Sequence, residues 1–287
     1  MSLVFLPKTM EDLWTLKSEH PEAVVYAGGT DFLVKRRLGL ADSSTLICLE
    51  RLDTLKGVED LGEEVWIGAA TTHSDLLGHS LIRIHFPILT QALQALGSPL
   101  IRQMGTLGGN VVSASPAGDT LPPLYVLGAE VELQTLSQKR RISITDFIQG
   151  PGQTVLSGGE ILSGVYIRKQ PEFTIHHFEK VGRRRALAIA LVSLSAIMEI
   201  GSDGLIRKAR LAWGSMGPTV VTYPAAEELL PGNPLCFEVL EKAASQIRAM
   251  VSPIDDVRAS AEYRQQVAGN LLIRLMDHTL PDGRGLV

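Results

Sequence analysis

The spacing of apolar and polar positions changes repeatedly along the chain, and each change marks an element. Met10, Leu13, Trp14 and Leu16 recur at helical spacing behind Thr9, and Asp12 three residues on completes a helix-start signature. Residues 23–27 form a short apolar strand, stopped by Gly28-Gly29-Thr30-Asp31, after which residues 32–37 predict a turn or two of helix. Residues 44–49 and 64–69 are strand-like in their β-branched and aromatic content. Residues 73–78 and 85–96 carry apolar side chains three and four apart and predict helices. A glycine-rich stretch, 105–119, precedes a helical 122–127 and a strand at 129–135.

Past Asp146 the pattern shifts. Gly150-Pro151-Gly152 and Ser157-Gly158-Gly159 punctuate the chain before a strand at 161–167, and Lys169-Gln170-Pro171 predicts a domain boundary near 170. Strands at 173–180 and 187–200 follow. The latter turns at Gly201-Ser202-Asp203-Gly204 into a hairpin partner at 205–213. The last third predicts two helices, 235–251 and 259–278. The expected class is α+β: a first domain over 1–170, divided into subdomains of about 1–55 and 56–170, and a smaller domain over 171–287 of antiparallel sheet with helices.

Composition narrows the function classes. The 287 residues are 45% hydrophobic and 20% charged, which is globular and long enough for two cores. Net charge is −4 with no long basic run, so nothing marks a nucleic-acid partner. Two distant cysteines, Cys48 and Cys236, rule out a Cys-rich zinc module, a CxxC pair and an iron–sulfur cluster on this chain's own thiolates. Residues 1–7 lack a basic n-region, and the apolar run 186–198 is too short to span a bilayer and is closed by Glu199. That run reads as buried core, and the protein as soluble and cytoplasmic, without membrane insertion.

Two glycine clusters carry the candidate chemistry. In Ala27-Gly28-Gly29-Thr30-Asp31, placed between strand and helix, glycines let backbone N–H groups converge and let a phosphate come close. The helix N-terminus adds partial positive charge. Gly105-Thr106-Leu107-Gly108-Gly109-Asn110 offers the same resources, and two such loops suit a ligand with two linked phosphates. Neither GxGxxG nor GxxxxGK[ST] occurs, so a dinucleotide would need another fold. His73 and His79 are six apart, and His176 and His177 point to opposite strand faces, so neither pair suits a metal. Trp213-Gly214-Ser215-Met216-Gly217 resembles a nucleophile elbow but precedes Pro218 and reads as a turn. Lys180 with Arg183-Arg184-Arg185 is either a solvated basic face or a neighbour of an anionic ligand.

These two loops resemble the FAD-binding medium subunit of molybdenum hydroxylases, the xanthine dehydrogenase and carbon monoxide dehydrogenase flavoprotein family. So do Ala114-Ser115-Pro116-Ala117-Gly118-Asp119, Lys180-Val181-Gly182-Arg183-Arg184-Arg185-Ala186, and the segment from Asp256 to Arg264. The resemblance runs in order along nearly the whole chain. It implies a vanillyl-alcohol-oxidase-type FAD domain of two α+β subdomains with the cofactor between them, and a flavoprotein C-terminal domain. Val25, Tyr26, Ala27, Gly28, Gly29, Thr30, Asp31 and Phe32 match the first pyrophosphate loop. Thr106, Leu107, Gly108, Gly109 and Asn110 match the second. Asp119 matches a cofactor contact, Leu162 an apolar neighbour of the flavin ring, and Lys180 a cation that favours its anionic reduced form. Leu96 departs from relatives that place an aromatic residue there.

The implied activity is that of an FAD-carrying electron-transfer subunit of a xanthine-dehydrogenase-like complex. It would take electrons from [2Fe–2S] clusters and pass them to NAD or another acceptor. The clusters and the molybdenum cofactor are expected only on an iron–sulfur subunit and a molybdenum-binding subunit. No catalytic side chain and no metal ligand is expected on this chain. A stand-alone FAD-dependent oxidoreductase of the same fold is the alternative, although residues 171–287 are short for a substrate domain. A non-catalytic assembly protein that has lost FAD is the third reading, opposed by the intact glycines of both loops.

Overall fold

The computed structural model describes residues 3–40, 44–184 and 186–279. Two compact units form. The first comprises Met1–Ile84, Gly97–Ser115 and Gly128–Lys169, and the second His85–Leu96, Pro116–Leu127 and Gln170–Val287. The reading of two contiguous domains did not foresee that residues 85–96 and 116–127 pack with the second unit.

The first unit opens with β1 (Leu3–Phe5), α1 (Met10–Glu19), β2 (Val24–Tyr26), α2 (Phe32–Arg37) and β3 (Thr45–Cys48). The strands make a parallel sheet in the order β1-β3-β2, as expected when helices connect them. Thr9 and Asp12 form the predicted reciprocal cap: Asp12 N–H donates to Thr9 Oγ1 at 3.1 Å and Thr9 N–H to Asp12 Oδ2 at 3.2 Å. Leu13 and Trp14 of α1 pack on Ile47, Leu52 and Leu55. Then come β4 (Val58–Asp60), β5 (Glu64–Gly68), α3 (His73–Gly78) and α4 (Ser80–His85). The expected helix over 85–96 breaks at its start: α4 ends at His85, and Pro87 begins α5 (Pro87–Ala95), a member of the second unit. Proline has no N–H to continue a helix and suits a first helical position.

The glycine-rich stretch is more helical than its composition suggests. α6 (Pro99–Met104) starts on the Ser98 cap, and α7 (Leu107–Ser113) starts on Thr106. α8 (Leu121–Val126) belongs to the second unit. The first unit closes with β6 (Glu130–Gln134), β7 (Lys139–Ser143), α9 (Ile144–Phe147), β8 (Ile148–Gly150), β9 (Gln153–Thr154) and β10 (Ile161–Arg168). Its second sheet is antiparallel, in the order β4-β5-β10-β6-β7.

The second unit is built on β11 (Ile175–Val181), β12 (Val192–Ile200), β13 (Ile206–Gly214) and β14 (Val221–Thr222), antiparallel in that order with β11 at the edge. Val192, Leu194, Ala196 and Met198 share a core with α11 (Phe237–Met250) and α12 (Ala261–Ile273), which follow α10 (Pro224–Glu227). A 3₁₀ segment, Arg274–Thr279, ends the described chain. α5 and α8 pack on the strands from the other side, where a side chain at Gly214 would meet Pro122.

The strand expected over 187–200 begins only at Val192. Leu187 sits at φ 56°, a left-handed conformation incompatible with a strand, and Arg184 Nη2 donates to its carbonyl at 2.7 Å. The apolar run 186–198 therefore splits: Leu187 and Ile189 are exposed, while the part within β12 is core. No helix among the described residues is long and apolar enough to cross a membrane. Arg185 of the basic cluster lies outside the described residues.

Candidate functional site

Both glycine loops lie in the first unit, and the fold brings them against each other. The first joins β2 to α2. Gly29 takes φ 71°, where a Cβ is strained, and the Tyr26 and Phe32 rings stack across the loop at 5.4 Å. A Cβ on Gly28 would collide with the Met104 carbonyl, at the threshold of the second loop. One on Gly105 would stand 3.3 Å from Thr30 Oγ1 and 3.1 Å from the buried His73 ring. Glycine at 28 thus serves loop-to-loop packing.

One correction concerns the amides of α7. Leu107 N–H donates to the Thr71 carbonyl at 3.1 Å, Gly108 N–H to Ala69 at 2.9 Å, and Asn110 N–H to Thr106 at 3.0 Å. Gly109 N–H goes to Thr106 Oγ1 at 3.1 Å. These donors are spent inside the unit. What remains for an anion is the hydroxyl hydrogen of Thr106, the helix dipole, and the open side of Gly109. A Cβ at Gly109 would touch only Thr106 Oγ1, at 2.9 Å.

The one carboxylate in the first loop is balanced. Asp31 Oδ2 pairs with Lys35 Nζ at 2.7 Å and accepts from Ser113 Oγ, on α7, at 3.1 Å. That cross-link ties both loops together and keeps the negative charge of Asp31 from opposing a phosphate. His73 stands behind them. Its backbone N–H donates to the Gly105 carbonyl at 2.9 Å, and burial, then Arg102, lowers the ring's pKa to about 4, so the ring is neutral at pH 7.

Leu162 is 4% exposed, just before a β-bulge in β10. The bulge frees Ser163 to donate to the Glu132 carboxylate at 2.7 Å. The Leu162 side chain is among the buried apolar residues of the first unit.

The second unit holds Asp119 and Lys180 together. Lys180 Nζ donates to Asp119 Oδ2 at 2.7 Å and to the Ala95 carbonyl, at the C-terminus of α5, at 2.8 Å. Burial pushes the Asp119 pKa up to about 6, against the pull of Lys180. Asp119 Oδ1 is buried with no partner among the described residues. The solvated-lysine reading of Lys180 is overturned, whereas Arg183 and Arg184 are exposed. Ser215, in the elbow-like turn, is at φ 64°. Its N–H and Oγ bond the carbonyls of Pro116 and Ala190, so the turn is structural. Among the described residues no group of three or more His, Cys, Asp or Glu side chains is arranged to hold a metal ion.

Residues 1–169 match the family described as the FAD binding domain in molybdopterin dehydrogenase, and residues 176–279 match the CO dehydrogenase flavoprotein C-terminal domain. The chain belongs to the FAD-binding subunits of the molybdenum hydroxylases. Among curated proteins, this flavoprotein is 30% identical to the nicotine 6-hydroxylase medium subunit of Paenarthrobacter nicotinovorans, over 93% of each chain. It is 29% identical to the nicotinate dehydrogenase FAD-subunit of Eubacterium barkeri, over 91% of this chain and 90% of the other. Its fold superposes with TM-score 0.90 on a chain of reconstituted CO dehydrogenase from Oligotropha carboxidovorans, at 28% identity over 96% of each.

The flavoprotein's own geometry fits FAD. The first unit's juxtaposed loops with a charge-balanced aspartate suit a pyrophosphate; in the second unit, taken by itself, Asp119 Oδ1 is a buried acceptor with no partner among the described residues. Sequence reasoning missed Ser113, His73 and the carbonyls of Ala69, Thr71 and Met104. The glycines of loop two were their only signal, since each marks a close backbone approach.

Proposed function

We propose that the chain is the electron-relay subunit of a molybdenum hydroxylase complex in the cytoplasm. It would receive electrons from the [2Fe–2S] clusters of an iron–sulfur partner and deliver them to NAD or another acceptor. A molybdenum-binding partner would oxidise the substrate. The observation that carries the reading is that two flavoprotein family matches follow one another along the chain, over residues 1–169 and 176–279. The relatives' names, a nicotine 6-hydroxylase medium subunit and a nicotinate dehydrogenase FAD-subunit, are those of subunits, which supports a part in a larger assembly.

Bound FAD supplies the redox chemistry, accepting and releasing electrons. The chain's residues hold and tune it. In this reading Val25 to Phe32 and Thr106 to Asn110 border the pyrophosphate, with Thr30 and Thr106 offering hydroxyl donors. Asp31 stays neutralised by Lys35 and Ser113. Asp119 Oδ1 accepts a hydrogen bond from the cofactor, and Lys180 places a cation beside it. Lys180 keeps Asp119 oriented, so the acceptor is fixed before the cofactor arrives.

Affinity purification of the tagged chain at native expression level tests the assignment. Iron–sulfur and molybdenum-binding chains are expected to co-purify with it, and the preparation to be yellow. Purine or aldehyde oxidation by the isolated chain at ordinary enzyme rates would instead identify the stand-alone oxidoreductase.

A further inference from the structure

β11 is the edge strand of its sheet, so among the described residues the main-chain groups on its outer side have no strand to pair with. One side chain takes the place of that strand. Phe178 N–H donates to Gln91 Oε1 at 2.7 Å, and Gln91 Nε2 donates to the His176 carbonyl at 3.0 Å. An N–H and a C=O two residues apart on one side of a strand are the pair a neighbouring strand would engage. The amide of Gln91 satisfies both. One helical turn on, the Ala95 carbonyl accepts from Lys180 Nζ at 2.8 Å. The spacings match: four residues of helix advance about 6 Å and two residues of strand about 6.6 Å. With 178 fixed opposite 91, residue 180 falls opposite 95.

We infer that Gln91 is a positioning residue for Lys180: its clamp on the edge of β11 sets the register that delivers the Lys180 ammonium to Ala95 and Asp119. The inference rests on the proposed role of Lys180 beside the flavin, and deepens it by naming what holds the cation in place. A slipped or frayed β11 carries Lys180 away from Asp119 Oδ2, and the cation's effect on the cofactor weakens.

The test is a redox titration of the FAD-loaded full chain, in wild type, Lys180→Met, Gln91→Met and the double variant, at matched FAD content. Gln91→Met removes both amide bonds at similar volume. Gln91→Asn keeps the amide but is one methylene too short to span both groups, and serves if the Met variant does not fold. The expected results are a fall in midpoint potential for Gln91→Met, smaller than that for Lys180→Met, and no further fall when Gln91→Met is added to Lys180→Met. Hydrogen exchange at the Phe178 amide is expected to quicken in both Gln91 variants. A wild-type potential in Gln91→Met beside a lowered one in Lys180→Met overturns the inference and leaves the Lys180 reading standing. An equal fall in both backgrounds also overturns it, since Gln91 would then act by another route. An unshifted Lys180→Met overturns both.

Discussion

Lys180 Nζ lies 2.7 Å from Asp119 Oδ2, and the two side chains are only 9% and 10% exposed. A buried ion pair is weak evidence for stability, because removing two charges from water offsets much of their attraction. Breaking it is costly, because it strands the partner. The pair also changes what Lys180 does to its surroundings: the cation is partly compensated by an aspartate whose pKa, about 6, lies close to neutrality.

Ionisation of Asp119 should therefore be visible in stability. Its folded pKa lies above the unfolded value of 3.8, so the fold binds this proton more tightly than the unfolded chain does. The contribution is full below pH 3.8 and is lost as pH rises through about 6, amounting to about 3 kcal/mol. Urea denaturation across that window is expected to show the decline in wild type and a flatter profile in Asp119→Asn. Equal slopes would place the proton elsewhere.

Lys180→Met removes the group that favours the charged form and leaves Asp119 Oδ2 with its burial. The loss expected for one partner of a buried pair is about 3–5 kcal/mol. It should be larger at alkaline pH, where Asp119 is charged, and smaller in mild acid, where the protonated side chain is neutral. A loss independent of pH would show that the lysine stabilises by packing alone.

His73 has the opposite pH signature. Its pKa is lowered from 6.5 to about 4 by burial and Arg102, so protonation favours the unfolded state. The contribution is complete above pH 6.5 and is lost as pH falls through about 4, on the order of 3 kcal/mol. Because the His73 ring lies against Gly105, where its backbone N–H also bonds, FAD release is expected to accompany protonation of the ring. Following flavin fluorescence during acidification of wild type and His73→Phe checks it. Unchanged acid lability in the variant would clear the histidine.

The glycines should separate into two kinds. Gly28→Ala puts a methyl into the Met104 carbonyl, forcing the loops apart, so stability and FAD content are expected to fall together. The Cβ of Gly109→Val meets only Thr106 Oγ1 and disturbs one helix cap, worth about 1 kcal/mol, while its methyls add bulk to the loop. It is expected to abolish flavin retention in a chain that still folds. Near-full FAD content in folded Gly109→Val would remove that residue from the pyrophosphate site.

These contrasts also show which parts of the molecule the chain order makes legible. The Thr9–Asp12 cap needs only residues three apart, and Gly28-Gly29 and Gly108-Gly109 announce backbone constraints by lacking a Cβ. The acceptors of the α7 amides, Ala69 and Thr71, are some forty residues away, and no local pattern points to them. Leu162 reads as an apolar strand residue whichever way it faces, and the bulge beside it arises from pairing with β6. The discontinuous second unit is hidden for a similar reason. α5 and α8 are short helices with apolar sides, and only tertiary structure decides that those sides belong with β11, β12 and β13. Gln91 gave no sequence signal, because an unremarkable glutamine on a helix becomes a strand surrogate only beside an unpaired edge.

Arg264 shows how a segment that carries a family resemblance can serve the fold instead of the cofactor. It is 3% exposed, with Nη1 donating to the Leu191 carbonyl at 2.7 Å and Nη2 to Asp256 Oδ1 at 2.8 Å. One guanidinium thus braces the residue before β12 against the loop that leads into α12. Hydrogen bonds from Arg258 and Ala259, together with Arg264, hold the Asp256 carboxyl down at about 2, so it stays charged at neutral pH. A lysine here has the charge but not the fork: one ammonium on a flexible stem cannot reproduce two donors set at a fixed angle. Arg264→Lys is expected to leave the Leu191 carbonyl unpaired and to cost about 1–3 kcal/mol. The loss should appear as a lower urea midpoint with an unchanged slope, since the surface exposed on unfolding is the same. FAD content should stay at the wild-type level while the fold persists. A variant that keeps its midpoint but sheds FAD would move Arg264 from the brace to the cofactor.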